Sequence, residues 1–259
     1  MSELQAYAQQ ALQLIDLTSL NLDDTEQTII DLCTAANTDY GHVAAVCVYP
    51  KFVALARGTL DKLGLTNVKV ATVTNFPSGE ESLTAIIKET NKAVADGADE
   101  VDVVLPYRAF MKGDLEHCEQ VLTKSKAACG DKTLLKVIIE SGEMLDDSFI
   151  KAASEFAIDC GVDFIKTSTG KVPVNATLEA ADIMLAAINT NNPNVGFKAA
   201  GGIRTANEAK SYLKLAEDKL GNDWINPAHF RFGASSLLGN LVDCLNGKQT
   251  TSEAGTSTY

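Results

Sequence analysis

The sequence lacks the spacings that announce bound metals and nucleotide cofactors. It has only three histidines, His42, His117 and His229, and no two of them stand at ligand spacing. None of the six cysteines (Cys33, Cys47, Cys118, Cys129, Cys160, Cys244) forms a Cys-x-x-Cys pair. Free thiols buried in helices and strands are expected, and with them a reducing, cytoplasmic setting. There is no Gly-x-Gly-x-x-Gly fingerprint and no Walker loop. That removes the phosphate-binding turn an open doubly wound sheet would need. No apolar run approaches about 20 residues, so no membrane span is expected. Met1-Ser2-Glu3-Leu4-Gln5 carries neither a basic n-region nor an apolar h-region, so no signal peptide is expected. Positive charge is scarce as well: 22 Lys and Arg stand against 34 Asp and Glu, a net charge of −12. This argues against nucleic acid and anionic membrane as partners. A phosphorylated small molecule stays open, because local lysines and backbone N–H groups can override the global sign.

What is present is an alternation. After an amphipathic helix over 4–14, short apolar runs at 15–18, 43–48, 68–73, 100–105, 134–139, 164–167, 196–199 and 230–232 read as strands. Each is followed by a helix, at about 23–36, 51–63, 80–96, 114–129, 146–160, 176–188, 205–220 and 235–245. Near-continuous apolar strands imply a parallel sheet covered on both faces. Eight such units in one chain of 259 residues predict an α/β fold, a (β/α)8 TIM barrel with an extra N-terminal helix. The expected domain spans 1–246. The polar, unpatterned stretch 247–259 reads as a flexible tail ending in Tyr259.

Three of these strands each carry one lysine: Lys136, Lys166 and Lys198. An ammonium in a strand interior is costly unless it is paired or partly neutralised. In a barrel the site forms at the C-terminal ends of the strands. Asp16 and Thr18, Cys47, Thr72 and Asn75, Asp102 and the three lysines all stand there. Period-two facing groups Lys136 with Glu140, and Asp102 with Glu100. Facing the helix layer would bury these charges without partners, so they are expected inside the barrel. Lysines held close together lower each other's affinity for a proton, and a neutral amine forms a Schiff base with a carbonyl carbon. The bland reading is that Lys136 and Lys198 merely neutralise Asp102 and Asp16. Neither metal nor cofactor is required by the iminium route.

A second group suits an anion. Gly201-Gly202-Ile203-Arg204 precedes Thr205-x-x-Glu208, a capping box. Gly233-Ala234-Ser235-Ser236 opens the last helix, and Thr169-Gly170-Lys171 lies beside both in the expected barrel order. Loops after the seventh and eighth strands are the usual barrel phosphate site.

In these residues the chain resembles the deoxyribose-phosphate aldolases, which are class I aldolases. The resemblance rests on 71–77, 101–108, 135–140, 163–172, 196–205 and 231–238, above all Phe164-Ile165-Lys166-Thr167-Ser168-Thr169-Gly170-Lys171. It implies cleavage of 2-deoxy-D-ribose 5-phosphate to acetaldehyde and D-glyceraldehyde 3-phosphate, within deoxyribonucleotide catabolism. It also implies Lys166 as the Schiff-base nucleophile, Lys198 as the neighbour that depresses its pKa, and Asp102 in proton transfer through a bound water. Asp16 and Lys136 would complete the polar network, Cys47 would line the pocket, and the terminal Tyr259 would assist proton transfer. Thr169, Gly170, Lys171, Gly201, Gly202, Arg204, Gly233, Ser235 and Ser236 match substrate- and phosphate-binding positions. One departure is Ala199, where the family usually has proline; its loss should loosen the exit of the seventh strand. The expected partner is a small phosphorylated sugar, with a homodimer left open. The alternatives are a different sugar-phosphate lyase that uses Lys136, and a barrel that binds phosphorylated metabolites without catalysis.

Overall fold

The computed structural model describes residues 1–248. Within them eight parallel strands close into a barrel. They are β1 (Ile15–Thr18), β2 (Ala45–Val48), β3 (Lys69–Thr74), β4 (Glu100–Val104), β5 (Leu134–Ile138), β6 (Phe164–Lys166), β7 (Gly196–Ala200) and β8 (Phe230–Ala234). Each strand pairs with the next in the chain, and β8 returns to β1, where Asp16 aligns with Gly233. Around them run α1 (Glu3–Leu12), α2 (Glu26–Ala35), α3 (Val53–Lys62), α4 (Leu83–Ala95), α5 (Tyr107–Met111), α6 (Leu115–Cys129), α7 (Asp147–Asp159), α8 (Leu178–Asn191), α9 (Ala206–Leu220) and α10 (Leu237–Leu245). The (β/α)8 barrel and the extra N-terminal helix expected from the alternation are both there; α1 packs against α9 and α10.

The period of two explains how the strands divide their side chains. Val46, Val48, Val101, Val103, Leu135, Val137, Ile165, Phe197 and Phe232 belong to the main hydrophobic core, between sheet and helices. The residues between them face inward. On β2 and β3 these are Ala45, Cys47, Ala71 and Val73, which with Leu20 form a separate apolar cluster. On β4, β5, β6, β7 and β8 they include Glu100, Asp102, Lys136, Lys166, Lys198 and Arg231, all buried. The barrel interior is therefore apolar on one side and charged on the other.

Side-chain caps set the helix starts. Thr25, Ser82, Asp114, Asp146, Thr177 and Thr205 each accept from a backbone N–H of the first turn. Each such cap stabilises by about 1 kcal/mol. The Thr205–Glu208 box forms as the sequence predicts. At α2 the cap is Thr25 rather than an aspartate: the Asp24 carboxylate instead accepts from Ser19 Oγ and the Asn21 N–H, tying down the loop after β1. Small elements that the alternation does not show include α5 and a two-stranded hairpin of Asn37–Thr38 with Gly41–His42. Gly247 and Lys248, the first residues of the expected tail, close α10 through N–H donation to Cys244 O and Asp243 O. The rest of that stretch, with Tyr259, lies outside the described residues. Among the described residues no helix is long and apolar enough to cross a membrane.

Candidate active site

Strand register brings the charges together. Asp102 aligns with Lys136, Lys166 with Lys198, and Lys198 with Arg231. Lys136 Nζ lies 2.5 Å from Glu100 Oε2, 3.0 Å from Asp102 Oδ1 and 3.9 Å from Asp16 Oδ2. Lys198 Nζ donates to Asp16 Oδ2 at 2.5 Å and to Asp102 Oδ2 at 2.7 Å. Arg231 grips Glu100 with both ends of its fork, at 2.7 and 3.1 Å, and donates to Asp16 Oδ1 at 2.7 Å. Among the described residues Lys166 Nζ meets one carboxylate only, Asp102 Oδ2 at 2.9 Å, and shares that oxygen with Lys198.

The network holds three carboxylates and four cationic side chains. Burial would neutralise each of the three carboxylates, but their cations outweigh it. Lys198, Arg231 and Lys136 hold Asp16 well below the usual carboxylate range. Lys136 and Arg231 hold Glu100 low, and the three lysines hold Asp102 low. Burial also opposes charge on Lys136 and Lys198. There Asp102, with Glu100 for the one and Asp16 for the other, wins and raises both amines above the ordinary lysine value. Lys166 moves the other way. Burial is the largest cause and the Lys198 ammonium adds to it, against the pull of Asp102 and a smaller one from Cys47. The expected mutual depression of two lysines is thus one-sided: Lys198 stays charged and Lys166 loses proton affinity. All three lysines are buried, and Lys166 is the last residue of β6, at the C-terminal end of the barrel.

Cys47 lies against this network, fully buried, its thiol pushed up by burial. Thr72 and Asn75 serve the backbone instead. Thr72 Oγ1 donates to Val48 O, and the Asn75 amide bridges Val104 O and the Glu81 N–H. At the exit of β6, Thr169 donates to the Glu140 carboxylate from both its hydroxyl, at 2.6 Å, and its N–H, at 3.1 Å. The Lys171 ammonium donates to Leu20 O at 2.8 Å across the mouth, and burial lowers its proton affinity. Gly201 follows β7 with φ 85°, and its N–H points to Gly233 O at 3.5 Å, joining the loops after β7 and β8. Gly170 and Gly202 also have positive φ. Ser235 and Ser236 are exposed ahead of α10, and Ser236 makes no capping hydrogen bond of its own. The Arg204 N–H donates to Glu208 Oε2. Ala199 sits inside β7, buried and aligned with Phe232.

Asp16, Cys47, Asp102, Lys136, Lys166 and Lys198 therefore meet inside the barrel, and the glycine, serine and lysine loops ring the same end. Three participants had no role assigned from sequence: Glu100 and Glu140, placed there only by facing, and Arg231. Glu100 shares the face of Asp102, and Arg231 stands between two aromatics in a strand, so the alternation did carry a signal. Glu140 follows β5 in the left-handed region at φ 56°, which no local pattern announces. Among the described residues no group of three or more His, Cys, Asp or Glu is placed to hold a metal ion.

A family profile for DeoC/LacD family aldolases matches residues 10–241. The chain belongs to that family of aldolases. Similar solved structures include a candidate deoxyribose-phosphate aldolase from Coccidioides immitis, 28% identical with a TM-score of 0.80, covering 92% of this chain and 86% of that one. Another, from Toxoplasma gondii, is 24% identical with a TM-score of 0.86 over 96% of this chain and 99% of that one. A tetrameric deoxyribose phosphate aldolase from Aeropyrum pernix is 23% identical with a TM-score of 0.75, over 93% of this chain and 97% of that one. The last two speak to the fold alone. The family match makes the chain an aldolase, and its buried charged side chains gather inside the barrel.

Proposed function

We propose that this aldolase cleaves 2-deoxy-D-ribose 5-phosphate reversibly to acetaldehyde and D-glyceraldehyde 3-phosphate, as a class I enzyme with Lys166 as its nucleophile. One observation carries the reading: Lys166 is the surplus cation of the buried network, with one shared carboxylate and a lowered proton affinity. A neutral amine adds to the C1 aldehyde carbon, and loss of water leaves an iminium. A base takes the proton of the 3-hydroxyl, and the C2–C3 bond breaks with its electron pair moving to C2. Glyceraldehyde 3-phosphate leaves, and an enamine stays on Lys166. Protonation at C2 and hydrolysis of the iminium release acetaldehyde and restore the amine. Lys198 and Lys136 stay charged and fix Asp102 in place for proton transfer. The apolar wall of Leu20, Cys47, Ala71 and Val73 suits the two-carbon fragment. Lys171, the glycine loops and the start of α10 suit the phosphate. A place in deoxyribonucleotide catabolism follows from that substrate.

Lys136 is the weaker nucleophile. It contacts three carboxylates, is fully buried, and holds its proton more tightly than an ordinary lysine. Acetaldehyde with borohydride, followed by peptide mass mapping, tests the assignment. A single ethyl adduct on Lys166 is expected. An adduct on Lys136 would move the chemistry one strand away, and no adduct would leave only metabolite binding.

A further inference from the structure

Two members of the charged network stand away from the reacting end. Glu100 is the first residue of β4 and Arg231 the second of β8, so both lie at the barrel's N-terminal floor. There they line a cavity of about 570 Å³ together with His42, Asn67, Lys69 and Leu134. Both are almost wholly buried all the same, at 1% and 3% exposure. Arg231 is held by Pro227 O at Nε, and its guanidinium lies 5.8 Å from the centroid of the Phe164 ring. Lys136 Nζ lies at the same distance from that ring, so Phe164 is shared between the floor and the lysines. A contact chain then runs from Arg231 through Glu100 to Lys136, on to Asp102, and ends at Lys166. A second runs from Arg231 through Asp16 to Lys198.

We propose that Glu100 and Arg231 are positioning residues: the pair anchors Lys136 and Asp16 from below and sets the charge balance that leaves Lys166 as the unmatched amine. The inference rests on the Schiff-base reading above. Charge counting gives its sign. With Asp16, Glu100 and Asp102 ionised and Lys136, Lys198 and Arg231 protonated, the network is neutral only when Lys166 carries no proton. Removing the Arg231 charge leaves one uncompensated carboxylate, and a proton on Lys166 becomes the remedy. Removing the Glu100 charge leaves one surplus cation, and a proton on Lys166 becomes harder to hold. Among the described residues the titratable groups that act on Lys166 include Asp102 on β4, Lys198 on β7, Cys47 on β2 and Glu140 after β5. None of them changes in these variants.

The test follows the rate of reductive ethylation of Lys166 by acetaldehyde and cyanoborohydride against pH, read by peptide mass. The proteins are wild type, Arg231→Gln, Glu100→Gln, Arg231→Lys and the double variant Glu100→Gln/Arg231→Gln. The acid limb should move up by about one pH unit in Arg231→Gln and down by a similar amount in Glu100→Gln. Arg231→Lys, which keeps the charge, should leave the limb in place, and the double variant should bring it back towards wild type. Opposite shifts from the two halves of one ion pair are what a merely structural role cannot produce. If both single variants shift the limb in the same direction, or neither moves it while the Lys166 adduct forms, the pair's role is overturned and the nucleophile stands. If Arg231→Gln does not fold, the downward shift in Glu100→Gln decides alone. If wild type forms no Lys166 adduct at any pH, the Schiff-base reading itself falls, and the pair's role with it.

Discussion

Lys166 and Lys171 sit close in the chain, one at the end of β6 and one on the loop that leaves it. Burial lowers the proton affinity of both. Their surroundings otherwise differ. Lys166 is locked among fixed charges whose positions follow strand register, and each charge is shared by at least two partners. Lys171 reaches across the mouth to a backbone carbonyl of the loop after β1. The interior is thus a coupled unit, where one change is felt by every neighbour. The rim is a set of separate donors on loops. Chemistry should fail as a block and recognition in portions.

The largest effect should come from Lys166→Leu. Turnover should fall roughly 10⁴-fold or more, because the covalent route is gone. The fold should survive, since Asp102 keeps Lys136 and Lys198 as partners when the surplus cation is removed. Steady-state rates and a denaturant titration on one preparation check both halves. Turnover above about a hundredth of wild type would place the nucleophile elsewhere.

Asp102→Asn comes next and tests the coupling. It removes the carboxylate that Lys136, Lys166 and Lys198 share. Turnover should drop about 10²–10⁴-fold with the lost proton transfer. Stability should drop by about 3–5 kcal/mol, the usual result of stripping one partner from a buried pair. Combined with Lys166→Leu, the effects on turnover should be far from additive. Additive losses would mean that the interior charges work independently.

Lys171→Ala probes the rim. KM for the phosphorylated substrate should rise about tenfold to a hundredfold, the 1.5–3 kcal/mol of a hydrogen bond to a charged group, with kcat little changed. Phosphate-free 2-deoxyribose should show no such change. Gly233→Ala blurs the two regions on purpose. An added Cβ would come within 3.0 Å of both Lys198 Cε and Ala200 Cβ, so this rim substitution should press on the interior and lower kcat as well.

The same split explains what could be read in advance. The barrel was legible because apolar strands and helices alternate eight times, and the three lysines because each interrupts an apolar run. Which residue pairs with which was not. Arg231 and Glu100 are 131 positions apart, and Lys198 and Asp16 are 182 apart, so no local spacing links them. A strand pattern says that Glu100 shares a face with Asp102; only barrel closure says what waits opposite. The hairpin of Asn37–Thr38 and Gly41–His42 has two residues per strand, too few to show a period. At α2 two aspartates and a threonine all suit a cap, and the geometry of the loop after β1 decides between them.

The smallest effect is a dependence of stability on pH, and it separates Lys166 from its charged neighbours. A lysine whose folded pKa lies below its unfolded value binds more protons when unfolded, in the window between the two. Stability owed to that group therefore rises with pH across the window and is flat on either side. Lys136 and Lys198 have the opposite sign: their contribution is full below the unfolded lysine value and is lost as pH rises through their raised folded values. Lys166→Leu removes only the first behaviour. Its stability relative to wild type should be greatest at pH values below the folded Lys166 pKa and shrink as pH climbs towards about 10.4, the unfolded lysine value. The change amounts to about 1.4 kcal/mol for each pH unit that separates the two pKa values. Urea midpoints measured from pH 6 to pH 10 for the two proteins read it directly. A difference that stays constant over that range would mean Lys166 titrates like an exposed lysine, and burial would then have no hold on its proton.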